Sequence, residues 1–194
     1  GSNEPVSYDH IESIGAFTVT GGANISGTND ADTLTIIARE ATSTPQFPGT
    51  DGLQDFTVSV NDGIEVLFVD APSLTVDALG GSDEITVRTP APNDAEWDVD
   101  VTINGGTPSI DADQLIIETP GTDIIVYTPS ATVPDAGTLL IDEATNDSTI
   151  TINEIEDLRY DGEDGDDTLT VTGGGRFVHT PGVAIDAGHV GLDS

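Results

Sequence analysis

The stretch LRYDGEDGDDTLTV, Leu158 to Val171, enters as a strand, passes through a turn crowded with carboxylates and leaves as a second strand. LTVDALGGSDEITV, Leu74 to Val87, matches it position for position at an offset of 84 residues (158 − 74), and ANISGTNDADTLTI, Ala23 to Ile36, is a looser copy. Each turn carries an aspartate (Asp32, Asp83, Asp167) two residues before an aliphatic (Leu34, Ile85, Leu169), with another aliphatic two residues later (Ile36, Val87, Val171). Period-2 alternation buries one face of the exit strand and wets the other, so the aspartate points inward at the turn or caps it.

Outward from these turns the chain repeats itself on a larger scale. TVTGG at Thr18 to Gly22 returns as TINGG at Thr102 to Gly106, and DADTLTI at Asp30 to Ile36 returns as DADQLII at Asp111 to Ile117. Two copies of one unit therefore cover most of the sequence, 11–94 and 95–178. A cloning scar and lead-in are expected before them (1–10) and the start of a truncated further unit after them (179–194). FTVSV, DIIVYTP, TLLID and STITI read as further strands, and no segment sustains a 3.6-residue apolar stripe between caps. Ala38 to Asp55, rich in Pro, Gly, Thr and Ser, reads as a long loop in which Phe47 is a contact residue or a pin to the core. Trp97, the single tryptophan, reads as a packing anchor.

Composition narrows the partners. Four arginines (Arg39, Arg88, Arg159, Arg176) face 36 acidic residues, with a net charge of −32 over 194 residues. Such a surface repels nucleic acid, anionic membranes and uronic-acid polymers, and attracts divalent cations. With no cysteine, neither disulfides nor thiolate metal sites support the fold. No apolar run is long enough for direct membrane insertion. The same acidity also suits a high-salt habitat.

GEDGDDTLT, Gly162 to Thr170, resembles the Gly/Asp-rich nonapeptide of haemolysin-type (RTX-like) calcium-binding repeats, as found in large bacterial secreted or surface β-solenoid proteins. The resemblance implies calcium as cofactor, with Gly165 and Asp167 in the family's ligand positions and Asp164 and Asp166 as supplements. ALGGSDEIT keeps Gly81, Asp83 and Ile85, and GTNDADTLT keeps Gly27, Asp32 and Leu34 with Asp30 in place of a glycine. The residues themselves point the same way: Asp161, Glu163, Asp164, Asp166 and Asp167 crowd carboxylates that cost free energy unless protonated, solvated or neutralised by a cation. The candidate metal ligands are thus Asp161, Glu163, Asp164, Gly165, Asp166, Asp167, Asp83, Asp32 and Asp30.

For catalysis the sequence offers acids without partners. His10, His179 and His189 lack metal-ligand spacing, and no nucleophile elbow, thiol or phosphate loop is present. No catalytic residue is singled out. The expected fold is all-β, a right-handed parallel β-solenoid (β-helix) of irregular coils, with tandem Ig-like or cadherin-like β-sandwiches as the alternative. The expected function is a non-catalytic structural or adhesive module of a large extracellular bacterial protein, secreted or at the cell surface and stabilised by calcium at acidic turns. Its expected partners are neighbouring repeats of the same protein, surface glycans and other cell-surface proteins. The alternatives are a polysaccharide-active β-helix enzyme, glycosidase or lyase, and a carbohydrate-binding module.

Overall fold

A computed structural model describes residues 16–19, 21–39, 43–89, 97–108, 112–142, 147–163, 165–173, 177–181 and 188–192. The lead-in 1–10, His10, Asp111 and the candidate ligand Asp164 lie outside the described residues. In chain order the strands are β1 (Phe17–Thr18), β2 (Ala23–Ser26), β3 (Thr33–Ala38), β4 (Phe56–Val60), β5 (Val66–Val69), β6 (Ser73–Asp77), β7 (Gly80–Gly81), β8 (Glu84–Arg88) and β9 (Asp100–Asn104). They continue as β10 (Thr107–Pro108), β11 (Gln114–Glu118), β12 (Ile124–Pro129), β13 (Gly137–Asp142), β14 (Ser148–Asn153), β15 (Asp157–Asp161), β16 (Thr168–Val171), β17 (Phe177–Pro181) and β18 (Gly188–Leu192).

Two seven-stranded sheets hold most of them: β1-β5-β4-β3-β8-β11-β15, called here the first sheet, and β16-β12-β13-β14-β9-β6-β2, the second. Successive passes of the chain lay β3, β8, β11 and β15 side by side in parallel, and β2, β6, β9 and β14 likewise. Antiparallel pairs interrupt both series, β3 with β4 and β4 with β5 in the first sheet, β12 with β13 and β13 with β14 in the second. The expected parallel β-solenoid is therefore not the fold; the chain is a sandwich of two mixed sheets. The physical reason lies in the turns. Asn61 and Asp62 both take positive φ (52° and 54°) and the Gly63 amide donates to the Val60 carbonyl at 2.9 Å, a type I′ reversal that sends the chain back antiparallel. Tandem Ig-like sandwiches are equally excluded, because parallel pairing of β8 with β11 crosses from one half of the chain to the other and a single apolar core runs from Ala23 to Ile155.

Alternation builds most of that core. In β3, β8 and β11 the pairs Leu34/Ile36, Ile85/Val87 and Leu115/Ile117 are fully buried, and in β6 and β9 Leu74/Val76 and Val101/Ile103 face them from the second sheet. Burying a side chain of this size contributes about 1.5–3 kcal/mol. Trp97 is fully buried, edge-on to Phe56 at 5.8 Å, with its indole N–H donating to the Asp55 carbonyl at 3.2 Å. Phe56, Phe68 and Phe17 stack outward along the first sheet, ending at half-exposed Phe17.

Candidate functional site

The parallel passes bring the turn aspartates into one row, just ahead of the strands of the first sheet. The Asp32 amide donates to Asp83 Oδ1 at 2.7 Å, the Asp83 amide to Asp113 Oδ1 at 2.9 Å, and the Asp113 amide to Glu156 Oε2 at 2.8 Å. Each carboxylate thus holds the first free amide of the preceding rung, which a buried backbone requires. Asp32, Asp83 and Asp113 are themselves buried. The second sheet repeats the device once, the Asp123 amide donating to Asp167 Oδ1 at 2.9 Å.

The rungs differ in how their remaining oxygens are served. Asp32 Oδ2 accepts from the Thr28 amide and hydroxyl at 2.5 and 2.9 Å, and Asp32 Oδ1 from Asn61 Nδ2 at 2.6 Å. Burial pushes its pKa upward, yet these three hydrogen bonds outweigh it and the carboxyl sits below its ordinary value. Asp83 has no such loop donors, and its Oδ2, like Asp113 Oδ2, is buried without a hydrogen-bond partner. Burial raises the Asp83 pKa against the pull of the Asp32 amide, and the charges of Asp113 and Asp32 raise it further. Two orphaned hard oxygens on adjacent rungs suit a proton or a hard cation.

The acidic run at Asp161 to Asp167 is partly neutralised by protein. Arg88 forks onto both Glu163 oxygens and also reaches Glu118 at 3.7 Å, while Arg159 pairs with Asp161 at 2.7 Å. Asp167 is committed to the Asp123 amide, and the Asp166 amide donates to Thr122 Oγ1 at 3.3 Å. Gly165 takes φ 100°, and a Cβ there would run into the Gly121 carbonyl, so a glycine is needed for the close approach of two loops. Asp30 is exposed; its amide donates to Thr28 Oγ1 at 3.1 Å, and its carbonyl occupies the space a Cβ on Gly81 would need.

A second cluster escaped the sequence reading. Ligand oxygens of Asp51, Asp55 and Asp70 lie within 4.8 Å of one another. Asp55, fully buried, accepts from the amides of Asp51 (2.7 Å), Gly52 (3.0 Å) and Asp70 (3.1 Å), and so closes the loop that precedes β4. Burial raises its pKa, those amides oppose the rise, and the Asp51 charge adds to it. A calcium ion takes six to eight oxygens; the three converging carboxylates are hard-oxygen donors of the kind such an ion takes. The D-G-x-x-D spacing from Asp51 to Asp55 was the available signal, but Asp70 joins it only through the fold. Phe47 pins the same loop, its ring 4.1 Å beneath the Arg39 guanidinium, which also donates to Thr57 Oγ1 and Glu65. Comparison with known proteins finds no matching family model, no matching curated protein and no matching solved structure.

Proposed function

We propose that the chain is a non-catalytic structural or adhesive module of a large extracellular bacterial protein, with calcium bound at its acidic turns. The observation that supports this reading is the carboxylate row from Asp32 through Asp83 and Asp113 to Glu156: its acids are spent on holding neighbouring rungs together rather than converging on a cleft. Neighbouring repeats of the same protein are the partners this reading implies. Calcium fits the hard-oxygen donors at Asp51, Asp55 and Asp70 and the unserved oxygens of Asp83 and Asp113.

Calorimetry in calcium, against magnesium and sodium at matched ionic strength, tests the cation. A ligand that binds only the native state adds about 2.7 kcal/mol at 100 times its dissociation constant, so calcium should raise Tm well beyond the other salts. Equal Tm values would remove calcium from the reading. Incubation with neutral and acidic polysaccharides tests the absence of chemistry: new reducing ends or unsaturated products, lost on replacing one carboxylate pair in a folded variant, would make the chain a glycosidase or lyase instead.

A further inference from the structure

The outer faces of the two sheets differ in their middle rows. On the first, Ser59, Thr35 and Thr86 run into Ile116 and end at Arg159, beside the charged row of Arg88, Glu118 and Asp161. On the second, one row crosses five strands with no ionisable side chain: Thr75 pairs with Thr102, Thr102 with Thr151, Thr151 with Thr138 and Thr138 with Thr128. Thr128 Oγ1 then meets Thr172 Oγ1 at 2.7 Å. Each of the five flanks buried core positions on its own strand, so the row faces outward, with Thr128, Thr138 and Thr151 exposed.

Beside it runs a second row, Asp77–Asn104–Asn153, whose amides are already locked: Asn104 Nδ2 donates to Asp77 Oδ1 at 2.6 Å and Asn153 Nδ2 to Asn104 Oδ1 at 3.0 Å. The two rows end at a groove of about 310 Å³ lined by Thr128, Thr138 and Asn153 and bordered by Pro129, Ser130 and the exposed Val133.

We propose that this face binds a neutral, hydroxyl-rich polysaccharide laid across the strands along the threonine row, with one end in the groove beside Val133. The inference rests on the adhesive reading above and names its partner. Charge selects the polymer: a chain of net charge −32 repels uronic-acid and sulfated glycans, while the uncharged row admits a neutral one. Chemistry selects it again, because each threonine hydroxyl both donates and accepts, as sugar hydroxyls do. Rungs about 4.7–4.9 Å apart set one hydroxyl after another along the row, each open to a hydroxyl of a polymer lying across the strands. Preorganisation favours binding: β-branched threonines are stiff at χ1, and the neighbouring amides are held by one another, so little side-chain entropy remains to be lost. Pro129 and Val133 offer the C–H face of a terminal sugar an apolar contact.

The test is retention of the whole chain on microcrystalline cellulose, chitin and β-1,3-glucan, with polygalacturonate as the anionic control and product analysis in the same tubes. Retention on at least one neutral polymer is expected. Thr102→Val with Thr151→Val, which exchanges hydroxyl for methyl at outward-facing strand positions, should lower the partition constant about tenfold, as loss of two hydrogen bonds implies. Val133→Asp, on an exposed loop, should also lower it, while Thr35→Val with Thr86→Val on the other sheet should leave it unchanged. Absence of retention on all three neutral polymers, equal retention of every variant, or preference for polygalacturonate overturns the proposal. So does inhibition of ice recrystallisation that the threonine variants abolish in a chain no polymer retains, which would make ordered water the partner. Sugar products released during retention would instead overturn the non-catalytic reading and leave the binding face standing.

Discussion

Asp83 is the position where the carboxylate row is most exposed to test. Asp83→Ala removes the acceptor of the Asp32 amide and leaves that buried N–H without a partner, a loss of about 1–3 kcal/mol. In a chain of this size 1 kcal/mol moves Tm by about 2–4 °C, so melting should fall by roughly 2–12 °C. Asp83→Asn keeps an oxygen for the Asp32 amide, puts an NH₂ in place of the unpartnered Oδ2 and removes a charge that Asp113 and Asp32 oppose. It should melt at or above the parent at neutral pH. The pH dependence has a definite sign. Because the folded pKa of Asp83 is raised, its contribution is fully present below the unfolded carboxyl pKa and is lost as pH rises through the folded value. Asp32 runs the other way, its lowered pKa contributing above the unfolded value and failing as pH falls through the folded one. Calorimetric Tm of the parent, Asp83→Ala and Asp83→Asn across the acid range is the assay. Asparagine as damaging as alanine at neutral pH, or a parent and an asparagine variant with identical pH slopes, would refute the account of the row.

Three further outcomes follow from the packing. Trp97→Ala should cost about 3–5 kcal/mol, read as a lower denaturant midpoint, since Trp97 is fully buried against Phe56 and donates to the Asp55 carbonyl. Gly106→Ala should destabilise by about 1–3 kcal/mol in the same measurement, because Gly106 takes φ 96° and a Cβ would meet the Leu79 carbonyl. Tyr160 should ionise late in a spectrophotometric titration, near its raised pKa of about 12, pushed up by burial against the Thr119 hydrogen bond and further by Asp167, Asp123 and Asp161; ionisation at the ordinary phenol value would place its ring in solvent.

Alternation in the turn-flanking strands made much of the sheet structure legible: Leu34, Ile36, Ile85 and Val87 are all fully buried. The inward or capping place of Asp32, Asp83 and Asp167 could be read from the same pattern. Leu169 broke it, 37% exposed although paired with buried Ile125, because the cover over a strand depends on how far the opposite sheet extends. The hairpin from β4 to β5 has its local signal in Asn61-Asp62-Gly63, which the sequence reading did not use, while the repeat suggested a parallel solenoid of irregular coils. The 84-residue offset itself joins Asp83, ahead of β8 in the first sheet, to Asp167, ahead of β16 in the second. Strand–turn–strand chemistry is local and recurs at either crossing, whereas the sheet a strand joins is set by its long-range partner. Asp55 and Asp70 were illegible for that reason, being brought together only by the closing of the loop before β4.

The carboxylate row has a direction. In every rung of the first sheet the amide belongs to the earlier strand and the carboxylate to the later one, from Asp32 to Asp83 to Asp113 to Glu156. At the starting end both Asp32 oxygens are taken locally, Oδ2 by Thr28 and Oδ1 by Asn61 of the hairpin. The row is therefore closed at its Asp32 end, and each later pass supplies the carboxylate that receives the amide of the rung before it, so the four parallel strands are stitched to one another by side chains in one sense only.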